Sequence, residues 1–153
     1  MKKLEELLHP SWITGEVGQR QICTTAGTQY RIMIDEGVVA EYKDLMQNGE
    51  EFPPLKAVFD GDRYIVVDGF HRLRAMSLIG RPSIPVQYIE GDLDDARFLA
   101  MTSNAKHGLH RTNADKANAV QAALAHPLTQ GLSDNQIAHL CGVSRSFVGG
   151  VRD

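Results

Sequence analysis

The chain has 153 residues, which at roughly 150 residues per domain is enough for one compact unit or one unit with a small appendage. Hydrophobic residues make up 42% and charged residues 23% of the chain, so a disordered or low-complexity protein is excluded. No apolar stretch approaches the roughly 20 residues that a membrane helix needs, and the basic start lacks the apolar core of a signal peptide. We therefore expect no membrane partner.

The charge of the chain is unevenly distributed. The formal net charge is −3, but residues 1–103 carry 11 Lys and Arg against 16 Asp and Glu, whereas residues 104–153 carry 5 against 3 and four of the six histidines. Because DNA phosphates attract cations, the charge distribution restricts any DNA-binding surface to the last third. Two distant cysteines, Cys23 and Cys141, argue against a disulfide framework or a thiolate metal site and favour a reducing, cytoplasmic location.

The first two thirds of the chain predict a mixture of helices and strands. A short helix is predicted at 4–8, a strand near 21–24, and an amphipathic helix at 35–46. Apolar runs predict two strands, 55–59 and 64–67, joined by a hairpin turn at Asp60-Gly61. The remaining predicted elements are a helix at 70–79 that ends at Gly80, a strand at 84–89, and a helix from Asp92 to about residue 105.

The last third predicts helices only. Thr112 with Asp115 resembles a capping box, and Ser133 with Gln136 forms a second one. Ser144 is placed to cap a third helix. The three helices are predicted over residues 112–125, 133–141 and 144–152.

The sharpest chemical pattern is the strand–turn–helix around residue 69. Gly69 allows a tight turn after Asp68, and the helix that follows carries His71, Arg72 and Arg74 in its first turns. Cations oppose the partial positive charge of a helix N-terminus unless an anion is bound nearby, and guanidinium and imidazole groups can hold phosphate oxygens. The pattern therefore favours a phosphate site. Asp68 is expected to orient His71 or Arg72, and the alternative role is to ligate a metal on a bound nucleotide. The alternative to a phosphate site is a solvated helix start.

Four patches of the sequence, taken in order, resemble the motifs of one family. They are Gln29-Tyr30-Arg31, Phe52-Pro53-Pro54-Leu55, Gly69-Phe70-His71-Arg72-Leu73-Arg74-Ala75, and Asn104 with His107-Gly108-Leu109 and Arg111-Thr112. From about residue 22 onward, the chain resembles the ParB/sulfiredoxin superfamily, most closely the ParB-like domains of plasmid and phage proteins. The resemblance implies that Gln29, Arg31, Asn104, His107 and Arg111 hold a nucleotide together with the phosphate pattern.

The second residue of the phosphate pattern separates this chain from relatives with a defined chemistry. Phe70 stands where sulfiredoxins have their catalytic cysteine, and phenylalanine offers no nucleophile, so that reductase activity is excluded. Phe70 and His71 also replace a glutamate and an arginine of chromosomal ParB proteins. The Asp-Gly-x-His-Arg form of this pattern also occurs in relatives that are small-molecule kinases using adenine nucleotides. The resemblance therefore implies CTP or an adenine nucleotide as the ligand, with or without Mg²⁺.

The segment 133–152 has the spacing of a helix–turn–helix. Ala138 supplies a small residue on the first helix, Gly142 a turn residue that tolerates positive φ, and Val148 an apolar anchor on the second. The second helix of such a unit enters the major groove of DNA, and Arg145 and Ser146 near its start are candidates for base edges or phosphates. The remaining DNA-binding candidates are Gln136, Ser144 and Arg152.

An ordinary helical hairpin is the alternative to the helix–turn–helix. Gly149-Gly150 weakens the second helix by roughly 1 kcal/mol per glycine relative to alanine.

Two clusters bear on metal binding, but His107 and His110 lack a third ligand nearby, and acidic residues at 92, 94 and 95 are typical of a helix start. No metal site is predicted.

The sequence thus predicts an α+β ParB/sulfiredoxin-like domain over 1–110 with a nucleotide-phosphate site, followed by a helical DNA-binding segment over 111–153. The expected function is a DNA-binding protein of the plasmid-partition or transcription-regulation type, associated with nucleoid or plasmid. A bound nucleotide would act as a switch, and two copies would pair on double-stranded DNA. The alternatives are a ParB-like nuclease, a nucleotide-dependent small-molecule kinase, and a protein-interaction module. A CTPase-like activity is left open.

Overall fold

The computed structural model describes residues 2–29, 34–103 and 111–153. Within these ranges the strands form one five-stranded mixed sheet in the order β1-β5-β3-β4-β2. The strands are β1 (Ile13–Gly18), β2 (Ile22–Cys23), β3 (Leu55–Phe59), β4 (Tyr64–Asp68) and β5 (Ser83–Glu90). The helices are α1 (Leu4–Leu8), α2 (Glu36–Gln47), α3 (Phe70–Ile79), α4 (Leu93–Ser103), α5 (Asn113–Ala125), α6 (Asp134–Cys141) and α7 (Arg145–Arg152).

The sheet combines both kinds of strand pairing. β1 pairs antiparallel with β5 and β3 antiparallel with β4, whereas β3 pairs with β5 and β2 with β4 in parallel. The predicted hairpin between β3 and β4 is confirmed, but its turn centres on Gly61-Asp62 rather than Asp60-Gly61. The N–H of Asp60 bonds to the carbonyl of Arg63 at 3.2 Å, and the Asp60 carboxylate accepts from the N–H groups of Asp62 and Arg63. Gly61 takes the positive φ of +100°.

β1 is the strand that sequence reasoning missed. Two of its six residues are glycine and three more are exposed, so neither β propensity nor a clear alternation marks it. It forms because the whole of β1, from Ile13 to Gly18, pairs with the longer strand β5. β2 is also shorter than predicted, at two residues.

The capping residues in the last third of the chain begin helices as the sequence predicts. The capping boxes Thr112–Asp115 and Ser133–Gln136 both form, and the Ser144 hydroxyl accepts from the N–H of Phe147 at 3.1 Å. These caps fix the starts of α5, α6 and α7.

Of the described helices, none has the length and apolar character to cross a membrane.

Each face of the sheet is covered by helices. α3 covers one face, where Leu55, Val66, Met76 and Val86 form a buried cluster. α4 lies on the other face, and its buried cluster continues without interruption into α5, α6 and α7. The buried residues of this larger cluster include Val58, Ile65, Phe98, Met101, Val120, Ile137 and Val148. The helical segment therefore shares its hydrophobic core with the sheet.

Candidate nucleotide site and nucleic-acid interface

The start of α3 follows directly from the end of β4. The pairing of β3 with β4 shifts there, because Lys56 faces Asp68 while Ala57 faces Val66, which leaves Val67 as an extra residue. Gly69 then adopts φ +101° and begins α3 without any side-chain cap. A helix start without a side-chain cap presents backbone N–H groups and a partial positive charge. This end of α3 therefore offers the backbone N–H groups and the partial positive charge that favour the binding of an anion.

Arg72 crosses this helix start and ties it to the preceding loop. Its Nη1 donates to the carbonyl oxygens of Pro53 and Pro54 at 2.8 and 3.1 Å, and its Nη2 lies 3.4 Å from the Asp68 carboxylate. The Arg72 side chain is only 15% exposed. Asp68 thus orients Arg72, one of the two roles expected of it. A phosphate would have to compete with these contacts for the Arg72 guanidinium.

His71 connects α3 to the start of α2. The residue is 6% exposed, and its Nε2 accepts from the N–H of Asp35 at 3.0 Å. The Asp35 carboxylate in turn accepts from the N–H groups of Gly37 and Val38 and caps α2. Nε2 therefore serves as an acceptor and is not a donor toward an anion in this structure.

Arg74 is the most exposed cation of the phosphate pattern. Its Nε lies 3.8 Å from Glu36 of α2, and both side chains are more than half exposed. Exposed pairs of this kind contribute roughly 0–1 kcal/mol, so the Arg74 guanidinium can be redirected at little cost.

Two hydroxyl groups that neighbour predicted nucleotide contacts in the sequence bond to the last residues of β4. The Thr28 hydroxyl donates to the carbonyl of Val66 at 2.7 Å, which places the half-buried Gln29 near that strand. At the end of α4, the Ser103 hydroxyl donates to the carbonyl of Val67 at 3.1 Å. Three further residues of the predicted set, Arg31, Asn104 and His107, lie outside the described residues.

Arg111 contacts a different part of the molecule. Its Nη1 donates to the carbonyl of Cys141 at 3.0 Å and its Nη2 to that of Gly142 at 3.2 Å. The guanidinium therefore lies on the turn between α6 and α7. Nothing in the sequence pattern indicated this contact, which joins positions 30 and 31 residues apart.

The turn between α6 and α7 has the geometry that the helix–turn–helix pattern predicted. Gly142 adopts φ +67°, and both its N–H and that of Val143 donate to the carbonyl of Ala138. Cys141 and Val148 are fully buried. Burial raises the pKa of the Cys141 thiol from 9.0 to about 11, although the positive charge of Arg111 acts in the opposite direction.

The outer surface of α7 begins with the exposed Arg145 and Ser146 and continues with the half-buried Gly149 and the exposed Gly150. Neither glycine has a positive φ. A Cβ at Gly150 would meet no atom within 4 Å, and one at Gly149 would lie 3.9 Å from an Asp134 oxygen. The fold therefore gives no steric reason for glycine at either position.

Three other DNA-binding candidates have partners within this unit. Arg152 donates through Nε and Nη2 to one oxygen of Asp134 at 2.9 and 2.7 Å, which joins the end of α7 to the start of α6. The Gln136 side chain accepts from the N–H of Ser133, and the Ser144 hydroxyl caps α7. Arg145 and Ser146 are thus the predicted contacts whose position suits a partner outside the protein.

The acidic cluster at the start of α4 has a structural role. Asp92 and Asp95 each accept from the other's N–H at 2.9 Å, and Asp95, which is 1% exposed, also accepts from the N–H of Lys2. Among the described residues no group of three or more His, Cys, Asp or Glu could hold a metal ion. His107 and His110 lie outside these residues.

Comparisons with known proteins place the fold. No family model matches the chain. A curated protein of Streptomyces griseus, described as a possible regulatory protein of the streptomycin biosynthesis operon, is 36% identical over 115 residues. The match covers 74% of this chain and 31% of that protein, so the chain spans about a third of its relative's length.

Solved structures of ParB N-terminal domains match almost the whole chain. The pNOB8-like ParB N-domain superposes with a TM-score of 0.67 at 14% identity, covering 92% of this chain and 68% of its own. C-terminally truncated ParB from Caulobacter crescentus, complexed to the centromeric parS site, gives 0.63 at 17% identity, covering 90% and 69%. The same protein complexed with CTP-γ-S gives 0.52 at 18% identity, covering 91% and 76%. The chain therefore has the α+β fold of ParB N-terminal domains, as the sequence predicted.

Proposed function

We propose that the chain is a sequence-specific DNA-binding protein of the regulatory type, in which α7 enters the major groove. One observation carries this proposal: α6 and α7 form a capped helix–turn–helix that leaves Arg145 and Ser146 exposed at the start of α7. In such units the first residues of the second helix contact base edges. A guanidinium can read the O6 and N7 acceptors of guanine, and a hydroxyl can donate or accept.

The charge distribution supports the same surface. The excess of cations over anions in residues 104–153 contrasts with the acidic remainder of the chain, so the end that carries α7 is the one that phosphates attract. A single unit of this kind contacts few base pairs. We therefore propose that two copies bind a site with two-fold symmetry, which raises affinity through the linked second contact.

The comparisons favour regulation over partition. Caulobacter ParB, which shares the fold, was solved on parS DNA, whereas the curated relative is described as a possible regulatory protein. That relative shares 36% identity with this chain, about twice the identity of the ParB structures. Transcription regulation is therefore the form of the function that we propose.

The test begins with selection of a binding sequence from a random duplex pool by the full chain. We expect one enriched sequence, bound with at least about a thousandfold preference over random duplex. Arg145→Ala should weaken this binding by about 1–3 kcal/mol. Arg81→Ala, at the far end of α3, serves as the matched control and should bind like the unmodified chain. Failure to enrich any sequence contradicts the proposal.

A nucleotide at the start of α3 is the second candidate function. It is favoured by the helix start at Gly69 without a side-chain cap, with the exposed Arg74 one turn away, and by the likeness to a ParB structure that holds CTP-γ-S. The backbone N–H groups of α3 would hold the phosphates, and Arg74 would leave Glu36 to join them. His71 and Arg72 would need to change partners before contributing.

Thermal unfolding with CTP, ATP, ADP and GTP, each with and without Mg²⁺, tests this candidate. A nucleotide at about 100 times its dissociation constant should stabilise the protein by about 2.7 kcal/mol. Arg74→Ala should reduce the shift, whereas Arg81→Ala should not. The absence of a shift with all four nucleotides argues against a nucleotide site and leaves DNA binding untouched.

A further inference from the structure

Arg111 joins the beginning of α5 to the turn of the helix–turn–helix. Its two terminal nitrogens reach neighbouring carbonyl groups, those of Cys141 and Gly142, at 3.0 and 3.2 Å. Arg111 itself lies directly before Thr112, the residue that caps α5. The contact therefore fixes the end of α6 relative to a helix that belongs to the shared core.

The two carbonyl groups suit a guanidinium for physical reasons. The last carbonyl groups of a helix have no partner within the helix and carry a partial negative charge. At the end of α6, the N–H groups of Gly142 and Val143 both donate to the carbonyl of Ala138. Neither of these bonds uses the carbonyl of Cys141 or Gly142. The planar fork of an arginine bridges two adjacent acceptors with two separate nitrogens, whereas a lysine offers a single nitrogen.

The direction of Arg111 is set by the capping box that follows it. The N–H of Thr112 donates to Asp115 at 3.0 Å, and the N–H of Asp115 donates to the Thr112 hydroxyl at 3.0 Å. Asp115 is only 7% exposed, so this box lies against the core. The backbone at Thr112 is thereby held, and the residue before it leaves the helix in a defined direction.

We propose that Arg111 is a positioning residue that sets the placement of α7 on DNA, an inference that rests on the proposed DNA binding. Only Gly142, Val143 and Ser144 separate α6 from α7. A displacement of the Cys141 and Gly142 carbonyls therefore moves the start of α7, where Arg145 and Ser146 lie. Arg111 acts on base recognition through the turn and does not contact the DNA itself.

This role has a signature that distinguishes it from two others. Loss of a phosphate contact weakens binding to all sequences and lowers the salt dependence by about one unit of slope. A purely stabilising residue leaves the affinity of the folded protein unchanged. Loss of a positioning residue weakens binding to the preferred sequence alone, because only base contacts need accurate placement.

The experiment compares Arg111→Met and Arg111→Lys with the unmodified full chain. The probes are the duplex enriched from a random pool and the random duplex itself, each titrated over a range of salt concentrations well below the unfolding temperature. Arg63→Met, on the β3–β4 hairpin, is the control. We expect Arg111→Met to lose at least about tenfold in affinity for the enriched duplex, with random-duplex affinity and salt slope unchanged. Arg111→Lys should lose less, since it keeps the charge but reaches one carbonyl.

The affinities of the two variants for the two probes decide the proposal. Unchanged affinity of Arg111→Met for the enriched duplex overturns it, and so does an equal loss on both probes with a lower salt slope. If Arg111→Met does not fold, the ratio of the two affinities for Arg111→Lys decides in the same way. Failure of the unmodified chain to enrich a sequence removes the proposed function, whereas enrichment that depends on Arg145 but not on Arg111 removes only this inference.

Discussion

At residue 69, two separate demands select glycine. The φ of +101° lies in the left-handed region, and an added Cβ would lie 2.6 Å from Leu55 Cδ2 and 2.8 Å from Arg72 Nη2. Backbone strain of about 1–2 kcal/mol and overpacking of about 1–3 kcal/mol should combine. We therefore expect Gly69→Ala to lower the free energy of unfolding by about 3 kcal/mol, measured by urea denaturation.

Gly49→Ala provides the matched control for this substitution. Gly49 has a similar φ of +90°, but nothing lies within 4 Å of the position of its Cβ. It should therefore lose only the backbone contribution of about 1 kcal/mol. Equal losses for the two variants would show that Leu55 and Arg72 move aside freely.

Cys141 predicts a loss of stability in alkaline solution. Burial raises the pKa of its thiol from 9.0 to about 11 in the folded protein, so the folded state holds the proton more tightly than the unfolded state. The contribution of this thiol to the free energy of unfolding is fully present below pH 9 and decreases as the pH rises toward about 11. A shift of about two units corresponds to about 2 to 3 kcal/mol.

Urea denaturation across this pH range measures the effect. Cys141→Ala lacks this buried thiol and should show a shallower alkaline decline, even though the cavity lowers its stability at neutral pH. The slopes of the two proteins are compared, because every other group contributes equally to both. Parallel declines would refute a contribution from Cys141.

Single residues also show where reasoning from sequence stops. The sequence marks Arg72, His71 and Arg111 as cations or donors beside turns, which predicts that they bind acceptors. It does not indicate that the acceptors of Arg72 are the carbonyls of Pro53 and Pro54, or those of Arg111 the carbonyls at 141 and 142. These partners are distant in sequence and are brought close only by the fold.

At the scale of elements, local capping chemistry made the last third predictable. Ser133, Ser144 and the box at Thr112 specify helix starts from residues within one turn, and the structure confirms all three. β1 had no comparable local signal. Its existence depends on β5, which lies about 70 residues further along the chain.

The pair Arg152–Asp134 closes α6 and α7 at the end opposite the turn. Both side chains are partly exposed, 42% and 31%, so solvent screens their interaction. A double-mutant cycle with Arg152→Ala and Asp134→Ala should give a coupling of about 0.5 kcal/mol. A coupling indistinguishable from zero would mean that Arg152 is available to a DNA phosphate.

At the scale of the whole molecule, the buried cluster of α4 continues through α5 to α7. Neither part of the chain buries this surface alone, because Phe98 and Met101 belong to the same cluster as Val120 and Ile137. The described parts of the chain should therefore unfold together in one cooperative transition.

Two optical signals test this expectation independently. Fluorescence of Trp12, the single tryptophan, reports on the sheet, whereas far-ultraviolet circular dichroism reports mainly on the helices. The two urea transitions should coincide within error. A helical transition at lower urea than the fluorescence transition would reveal that the last three helices unfold as a separate unit.

The two glycines on the outer surface of α7 have a consequence for adaptability. Side chains can be installed at Gly149 and Gly150 without rebuilding the interior, since an added Cβ meets no close neighbour at either position. If α7 reads DNA as proposed, a combinatorial library at these two positions would retarget the protein to new operators. The same freedom would let a lineage diverge in the promoters it controls while its scaffold stays the same.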